Sequence, residues 1–344
     1  MVYEDLSRVI DQVRPTREQE NAMLAGLLKE ERKEPNMRTG RKLPRLAAVG
    51  LAAAIVVTAC AAAAVMKLDQ RLLSYFGGTL KTEGLLTPAA MVVDKKKTSE
   101  GTALHLQQVV ADRYSVVALM ELTAPEGTVL DGEYYVLDYD VEATAPDGSC
   151  LDSFGFGWRC LEDEDPLDNR ISLMFKIHCI NNDFNFLGSK LSLAFEGLYS
   201  DNLRKEPILS GKWKYAVTLP NEDPGIYVTA EASITVDGTP MGTLRSLYVS
   251  PISLVWGVEG GEGGTEPIPL EPLHEREDWP EQVYLITAAG ETVPVRDFNC
   301  LHTQHKTDIQ DKERGYYSFS LAEIVDPAEI VSVSIFGQVF EMAG

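Results

Sequence analysis

Tyr135-Val136-Leu137-Asp138-Tyr139-Asp140-Val141-Glu142-Ala143 alternates in character from residue to residue. A strand turns successive side chains to opposite faces. Tyr135, Leu137, Tyr139, Val141 and Ala143 therefore share one face, and Val136, Asp138, Asp140 and Glu142 the other. The same period returns twice downstream. Ile171, Leu173, Phe175, Ile177 and Cys179 alternate with Ser172, Met174, Lys176 and His178, and Trp213, Tyr215, Val217 and Leu219 alternate with Lys214, Ala216 and Thr218. Turn signals stand between such runs at Pro146-Asp147-Gly148, Asn181-Asn182-Asp183 and Asp237-Gly238. Many short strands with turns at this spacing predict β-sandwiches.

Pro220-Asn221-Glu222-Asp223-Pro224 interrupts the series and predicts a boundary near residue 222. A first sandwich is expected over 101–222 and a second over 223–344. The second draws on Val228–Val236, Ile252–Val258, Val283–Thr287 and Val331–Phe340. Within it, Glu259–Pro280 is rich in Gly, Pro and Glu and predicts a long functional or mobile loop.

Upstream the character changes. Leu46–Met66 contains no charged residue over 21 positions. At about 1.5 Å per residue such a helix spans roughly 30 Å, the hydrocarbon thickness of a bilayer. Lys33, Arg38, Arg41, Lys42 and Arg45 flank it on the N-terminal side, against Lys67, Asp69 and Arg71 on the other. The positive-inside rule then places the N-terminus in the cytoplasm and the β region outside the cell. Gly50 and Ala54 form a small-xxx-small pair that would let two such helices approach, which opens self-association. Two rival readings are a secretory signal and a lipoprotein signal ending at Cys60. More than 40 residues precede the run, and Cys60 is followed by apolar Ala61–Val65 rather than a polar tether, so both are disfavoured.

Residues 1–45 form a short helical head. Leu6, Val9, Ile10 and Val13 repeat at helical spacing, and Pro15 ends that stripe. Thr16 with Gln19 makes a capping box for a second helix, whose face holds Met23, Leu24, Leu27 and Leu28. Two short helices bury these stripes poorly against each other, so the stripes are expected to bind a partner protein; a self-contained helical hairpin is the plainer alternative. Residues 67–100 are expected to be a juxtamembrane helix and a stalk, with Tyr75 and Phe76 near the membrane interface.

The net charge is −21. It is uneven: residues 1–45 carry ten Lys/Arg and eight Asp/Glu, and the rest carries 21 and 44. An acidic outer region repels nucleic-acid phosphates, so no nucleic-acid partner is expected. No nucleophile elbow, phosphate loop or metalloprotease helix occurs, and we expect neither an enzyme nor a cofactor. The head has no His or Cys, which excludes a zinc site there. The acidic run Glu162–Asp165 with Asp168 lacks the glycine and glutamate of a calcium loop, and His302 with His305 lacks a third ligand. No metal is expected. Cys150, Cys160, Cys179 and Cys300 lie in the outer region, and Cys150–Cys160 is the pair to test for a disulfide.

The run Leu104–Pro125, LHLQQVVADRYSVVALMELTAP, followed by Glu126-Gly127-Thr128, resembles the start of the outer region in a Gram-positive family known as domain of unknown function 4179. Arg71–Phe76, Gly211-Lys212-Trp213 and Asp326-Pro327-Ala328-Glu329-Ile330 fit the same layout, the last two within an immunoglobulin-like unit. The resemblance implies a mainly β protein with two immunoglobulin-like sandwiches after a helical head and one membrane helix. It also implies an anti-sigma-factor role and offers no catalytic residues to carry over. The expected function is a single-pass transmembrane regulator whose Leu6, Val9, Ile10, Val13, Met23, Leu24, Leu27 and Leu28 bind a sigma factor, with the bilayer held through 46–66. The alternative is a surface-anchored binding or adhesion module.

Overall fold

The computed structural model describes residues 68–79, 82–132, 134–161, 165, 167–179, 184–200, 206–236, 239–260, 279–304 and 314–342. Among them the chain is mainly β. Its helical elements are α1 (Gln70–Tyr75), α2 (Glu83–Leu86), a 3-10 turn (Thr87–Ala89), α3 (Trp279–Gln282) and a 3-10 turn (Pro327–Glu329). The strands are β1 (Ala90–Ser99), β2 (Thr102–Ala111), β3 (Ser115–Thr123), β4 (Val136–Thr144), β5 (Phe154–Cys160), β6 (Arg170–Cys179), β7 (Lys190–Tyr199) and β8 (Leu209–Thr218). They continue with β9 (Ile226–Val236), β10 (Thr239–Val249), β11 (Ser253–Glu259), β12 (Val283–Thr287), β13 (Thr292–Gln304), β14 (Arg314–Leu321), β15 (Ile330–Ile335) and β16 (Gln338–Glu341).

The first eight strands make two antiparallel sheets, ordered β1-β2-β3-β6-β5 and β4-β7-β8, which share one core. The alternation decides which side chains enter it. Ile171, Leu173, Phe175, Ile177 and Cys179 from β6 meet Leu137, Val141 and Ala143 from β4 and Trp213, Tyr215 and Val217 from β8. Two polar tips are satisfied across the layers: Trp213 Nε1 donates to the Thr102 carbonyl at 3.3 Å and Tyr215 Oη to the Leu104 carbonyl at 2.6 Å. Large aromatics can thus be fully buried without orphaned donors at those two positions.

The last eight strands form one sheet, β16-β15-β12-β13-β14-β11-β10-β9. Strand β13 pairs with β12 through Thr292–Pro294 and with β14 from Val295 onward, and its register slips at Val295/Asp297 and Phe298/Cys300. Such bulges bend a strand and let it pass from one layer to the next, so the sheet folds over on itself in a barrel-like way. Its ends are bridged by Gln338, which accepts from Thr235 N at 2.7 Å and donates to the Ser233 carbonyl at 3.4 Å. Trp256 stacks on Tyr317 and Phe319 at 5.2 and 4.8 Å inside it. The first core runs from Leu104 to Leu219 and the second from Ile234 to Met342, with Pro220–Pro224 between them.

Residues 90–99 are not a stalk. They form β1, paired to β2 from Ala90↔Val110 to Ser99↔Thr102. The two-residue turn Glu100-Gly101 has φ of 50° and 81°, the geometry that suits a tight hairpin. The Lys95–Lys97 run is the charged outer edge of a sheet, where lysines discourage further pairing. Phe76 is buried against the β region, and Tyr75 lies under Arg296. Leu46–Met66, the head at 1–45 with its eight apolar candidates, the Asn181–Asp183 and Asp237-Gly238 turns and residues 261–278 of the long loop lie outside the described residues. No described helix is long and apolar enough to cross a membrane.

Candidate functional site

The polar and apolar contacts of greatest reach converge where the two cores meet. The β2–β3 connection is Asp112-Arg113-Tyr114, and Ser115 opens β3. Asp112 caps its own turn: Oδ1 accepts from Tyr114 N at 2.9 Å, Ser115 N at 2.7 Å and Ser115 Oγ at 2.9 Å. This is ordinary aspartate turn chemistry. The second carboxylate oxygen reaches the β10–β11 turn, where it accepts from Ser250 Oγ at 2.7 Å and Ser253 Oγ at 2.6 Å. That turn repeats the same device, with Ser250 Oγ accepting from Ile252 N and Ser253 N. Asp112 is 0% exposed and all five donors are neutral. A buried carboxylate is tolerable when its lone pairs are filled in this way.

Arg113, the next residue, turns to the linker. Its Nε and Nη2 donate to Asp223 Oδ2 at 3.1 and 2.8 Å, and its backbone N–H donates to Tyr248 Oη at 3.3 Å. Tyr248 Oη in turn donates to Asp223 Oδ1 at 2.8 Å. Burial, followed by the charges of Asp112 and Asp223, raises the Tyr248 phenol far above its usual range, so it remains a donor. Tyr114 and Tyr248 meet edge to face at 5.1 Å. The Pro220–Pro224 break is therefore clasped rather than loose.

Beside this latch lies an apolar cluster built from three sources. Leu68, Leu72, Leu73, Phe76, Leu86 and Ala89 come from the helical segment. Val110, Val117, Leu119 and Met174 come from the outer face of the five-stranded sheet, and Ile252 and Ile324 from the second sheet's connections. Met174 faces away from the first core, which explains why β6 is buried on both faces. Polar contacts fix α1 at each end. At its start, Asp69 accepts from Arg71 N at 2.8 Å, and Asp69 N donates to Gln108 Oε1 at 2.9 Å. Arg71 donates to Gln107 Oε1 at 3.0 Å and also to Ser172 Oγ. The hydrogen bond from Arg71 holds the Asp69 carboxyl below the usual range despite burial. At its end, Arg296 donates to the Tyr75 carbonyl and lies 4.6 Å from the ring centroid. Gly77 has φ +65°, and a Cβ there would come within 2.4 Å of the Ala322 carbonyl oxygen. Lys176 of β6 donates to Ser320 Oγ of β14. Nearby His178 is buried over Gly155; burial and then the Lys176 charge push its pKa down to about 3.

This arrangement holds and positions, and no group of acidic, His or Cys residues among the described ones could hold a metal ion. Asp168 is occupied by Arg170, and Asp165 caps a turn through Leu167 N. The side chains of Cys300 and His302 and all of His305, Cys60 and Glu162–Glu164 are outside the described set. Cys150, Cys160 and Cys179 are free thiols, so the Cys150–Cys160 pair is not joined: Cys160 packs against Tyr135 while exposed Cys150 lies beside Thr144. Asp112, Arg113, Ser250 and Ser253 were not singled out by sequence. Asp-Arg-Tyr-Ser between two apolar runs is a turn signal, but nothing in it reveals the serines 138 and 141 residues away.

No family model and no curated protein matches the chain. Among solved structures, the crystal structure of the conserved domain protein from Bacillus anthracis is similar, at 13% identity and a TM-score of 0.49, over 72% of this chain and 77% of that one.

Proposed function

We propose that this chain is a single-pass membrane regulator of the anti-sigma-factor kind, with two immunoglobulin-like β units outside the cell. Residues 46–66 span the bilayer, and Leu6, Val9, Ile10, Val13, Met23, Leu24, Leu27 and Leu28 hold a sigma factor in the cytoplasm. The observation that carries the reading is the seat of α1. It begins four residues after the apolar run ends at Met66, and both β units grip it, through Gln107, Gln108 and Ser172 on one side and Arg296 on the other. A signal that shifts one unit against the other would be delivered directly to the segment leading into the membrane. Burying the head's stripes supplies on the order of 1.5–3 kcal/mol per side chain before ordering costs, enough for micromolar binding.

The test is a sigma-dependent reporter in cells carrying the full chain. Arg296→Ala, which releases the end of α1, is expected to change reporter output while the amount of membrane-bound protein stays constant. Leu24→Asp with Leu27→Asp is expected to release the sigma factor fully. A reporter that ignores both variants would refute the reading, and would leave a surface-anchored binding module in its place.

A further inference from the structure

We infer that β5 is a self-pairing edge, through which two copies of this chain join antiparallel about Phe156. Among the described residues, strand β5 ends its sheet and has a backbone partner on one side only, β6. The parity of that pairing is fixed. Leu161 N donates to the Ser172 carbonyl, and Leu161 and Ser172 stand opposite each other in the unbroken register that pairs Cys160 with Leu173. Gly155, Gly157 and Arg159 therefore spend their backbone groups on β6. The N–H and C=O groups of Phe154, Phe156 and Trp158 point outward, and no described backbone group receives them.

Other sheet edges in the first sandwich are blunted. β1 has a bulge at Val92/Lys95 and three lysines, and Lys95 and Ser99 already reach β8. β4 carries Asp138, Asp140 and Glu142. β5 has neither device: from Ser153 to Leu161 its one charge is Arg159, on a chain of net charge −21. A sparsely charged, apolar open edge is a template for another strand.

The occupant follows from the sequence of the edge. Phe154-Gly155-Phe156-Gly157-Trp158 has the same pattern, aromatic and glycine in turn, in both directions. A two-fold axis at Phe156 sets Phe156 against its own copy and Phe154 against Trp158. These are the residues whose backbone groups point outward, so each opposed pair exchanges two hydrogen bonds. Glycine faces glycine on the other side, where Gly157 has open space. On the aromatic side, Phe156 is 45% exposed and lies 4.5 Å from Tyr139, at the mouth of the sandwich between β4 and β5. Pairing would cover that mouth with three aromatic cross-strand pairs. The contact is short compared with stable dimer interfaces, so association depends on concentration.

The full chain in mild detergent is examined by sedimentation equilibrium up to its highest soluble concentration, together with hydrogen exchange. Wild type is expected to self-associate, with the amides of Phe154, Phe156 and Trp158 gaining protection as concentration rises. Phe156→Lys places like charges at the axis. Phe156→Pro removes an outward N–H and leaves the β6 bonds intact. Each is expected to weaken association by about tenfold or more, whereas Tyr227→Lys on the edge strand β9 leaves it unchanged. A single monomer mass at every concentration overturns the inference, including the case in which β5 takes a strand from a different protein. Association that persists in both Phe156 variants also overturns it, by locating the contact elsewhere.

Discussion

Replacing Asp112 by alanine should loosen the joint more than any other single polar substitution. The carboxylate is 0% exposed and accepts five hydrogen bonds, three within its own turn and two from Ser250 and Ser253. Alanine strands the Tyr114 and Ser115 amides and removes the acceptor that ties the two turns together. The two serine hydroxyls stand 3.0 Å apart and can recover one bond between themselves. A hydrogen bond to a charged acceptor is worth about 1.5–3 kcal/mol, and the five act as a unit rather than independently, so the expected loss is ~3–5 kcal/mol. Asp112→Asn keeps an acceptor for the turn and only forces the serine hydroxyls to reverse, so it should cost about 1–2 kcal/mol. Denaturant unfolding of the full chain in mild detergent reads the sizes. Hydrogen exchange reads the location: peptides covering 110–116, 248–255 and 68–76 should exchange faster together in Asp112→Ala. A loss below about 1 kcal/mol, or faster exchange confined to the β2–β3 turn, would refute the idea that this carboxylate couples the two units and α1.

Three further outcomes follow from the same contacts. Leu72→Ala, in the fully buried centre of the joint cluster, should destabilise by ~2–5 kcal/mol, read by the same denaturation. Gly77→Val should be poorly tolerated, because φ is +65° and its Cβ would meet the Ala322 carbonyl oxygen; early exchange at 70–76 is the readout. His178 is held neutral, with a folded pKa of about 3 against an ordinary value of 6.5. Its contribution is therefore complete above pH 6.5 and declines as pH falls toward 3, by at most about 1.4 kcal/mol per pH unit. His178→Gln should flatten the stability–pH curve across that window relative to wild type, and an unchanged slope would show that His178 titrates normally.

What sequence made legible was the period-two alternation. Ile171 to Cys179, Trp213 to Val217 and Tyr135 to Ala143 entered the core on the faces their spacing dictates. Val283–Thr287 matches β12 end to end. The same logic failed where burial is two-sided. Met174 reads as an outward residue, yet it lies against the joint, because a second packing partner arrives from far along the chain, and His178 is buried over Gly155 of the neighbouring strand. It failed again at 90–99, expected as part of a stalk, where the structure has an edge strand bearing three lysines. Charge on an open edge prevents aggregation, so it is compatible with a strand and says little against one. The joint itself was illegible. Asp112 marks a turn by local chemistry, but its partners at Ser250 and Ser253, and the grip of Arg296 on Tyr75, are set by long-range topology that no local pattern encodes.

The most direct test of the regulator account is a crosslinked pull-down of the full chain from its own membranes, with the captured proteins identified by mass spectrometry. The account predicts a sigma factor in the wild-type capture and its loss when Leu24→Asp and Leu27→Asp are introduced together. Recovery of no sigma factor from wild type, or equal recovery from the double variant, would contradict it.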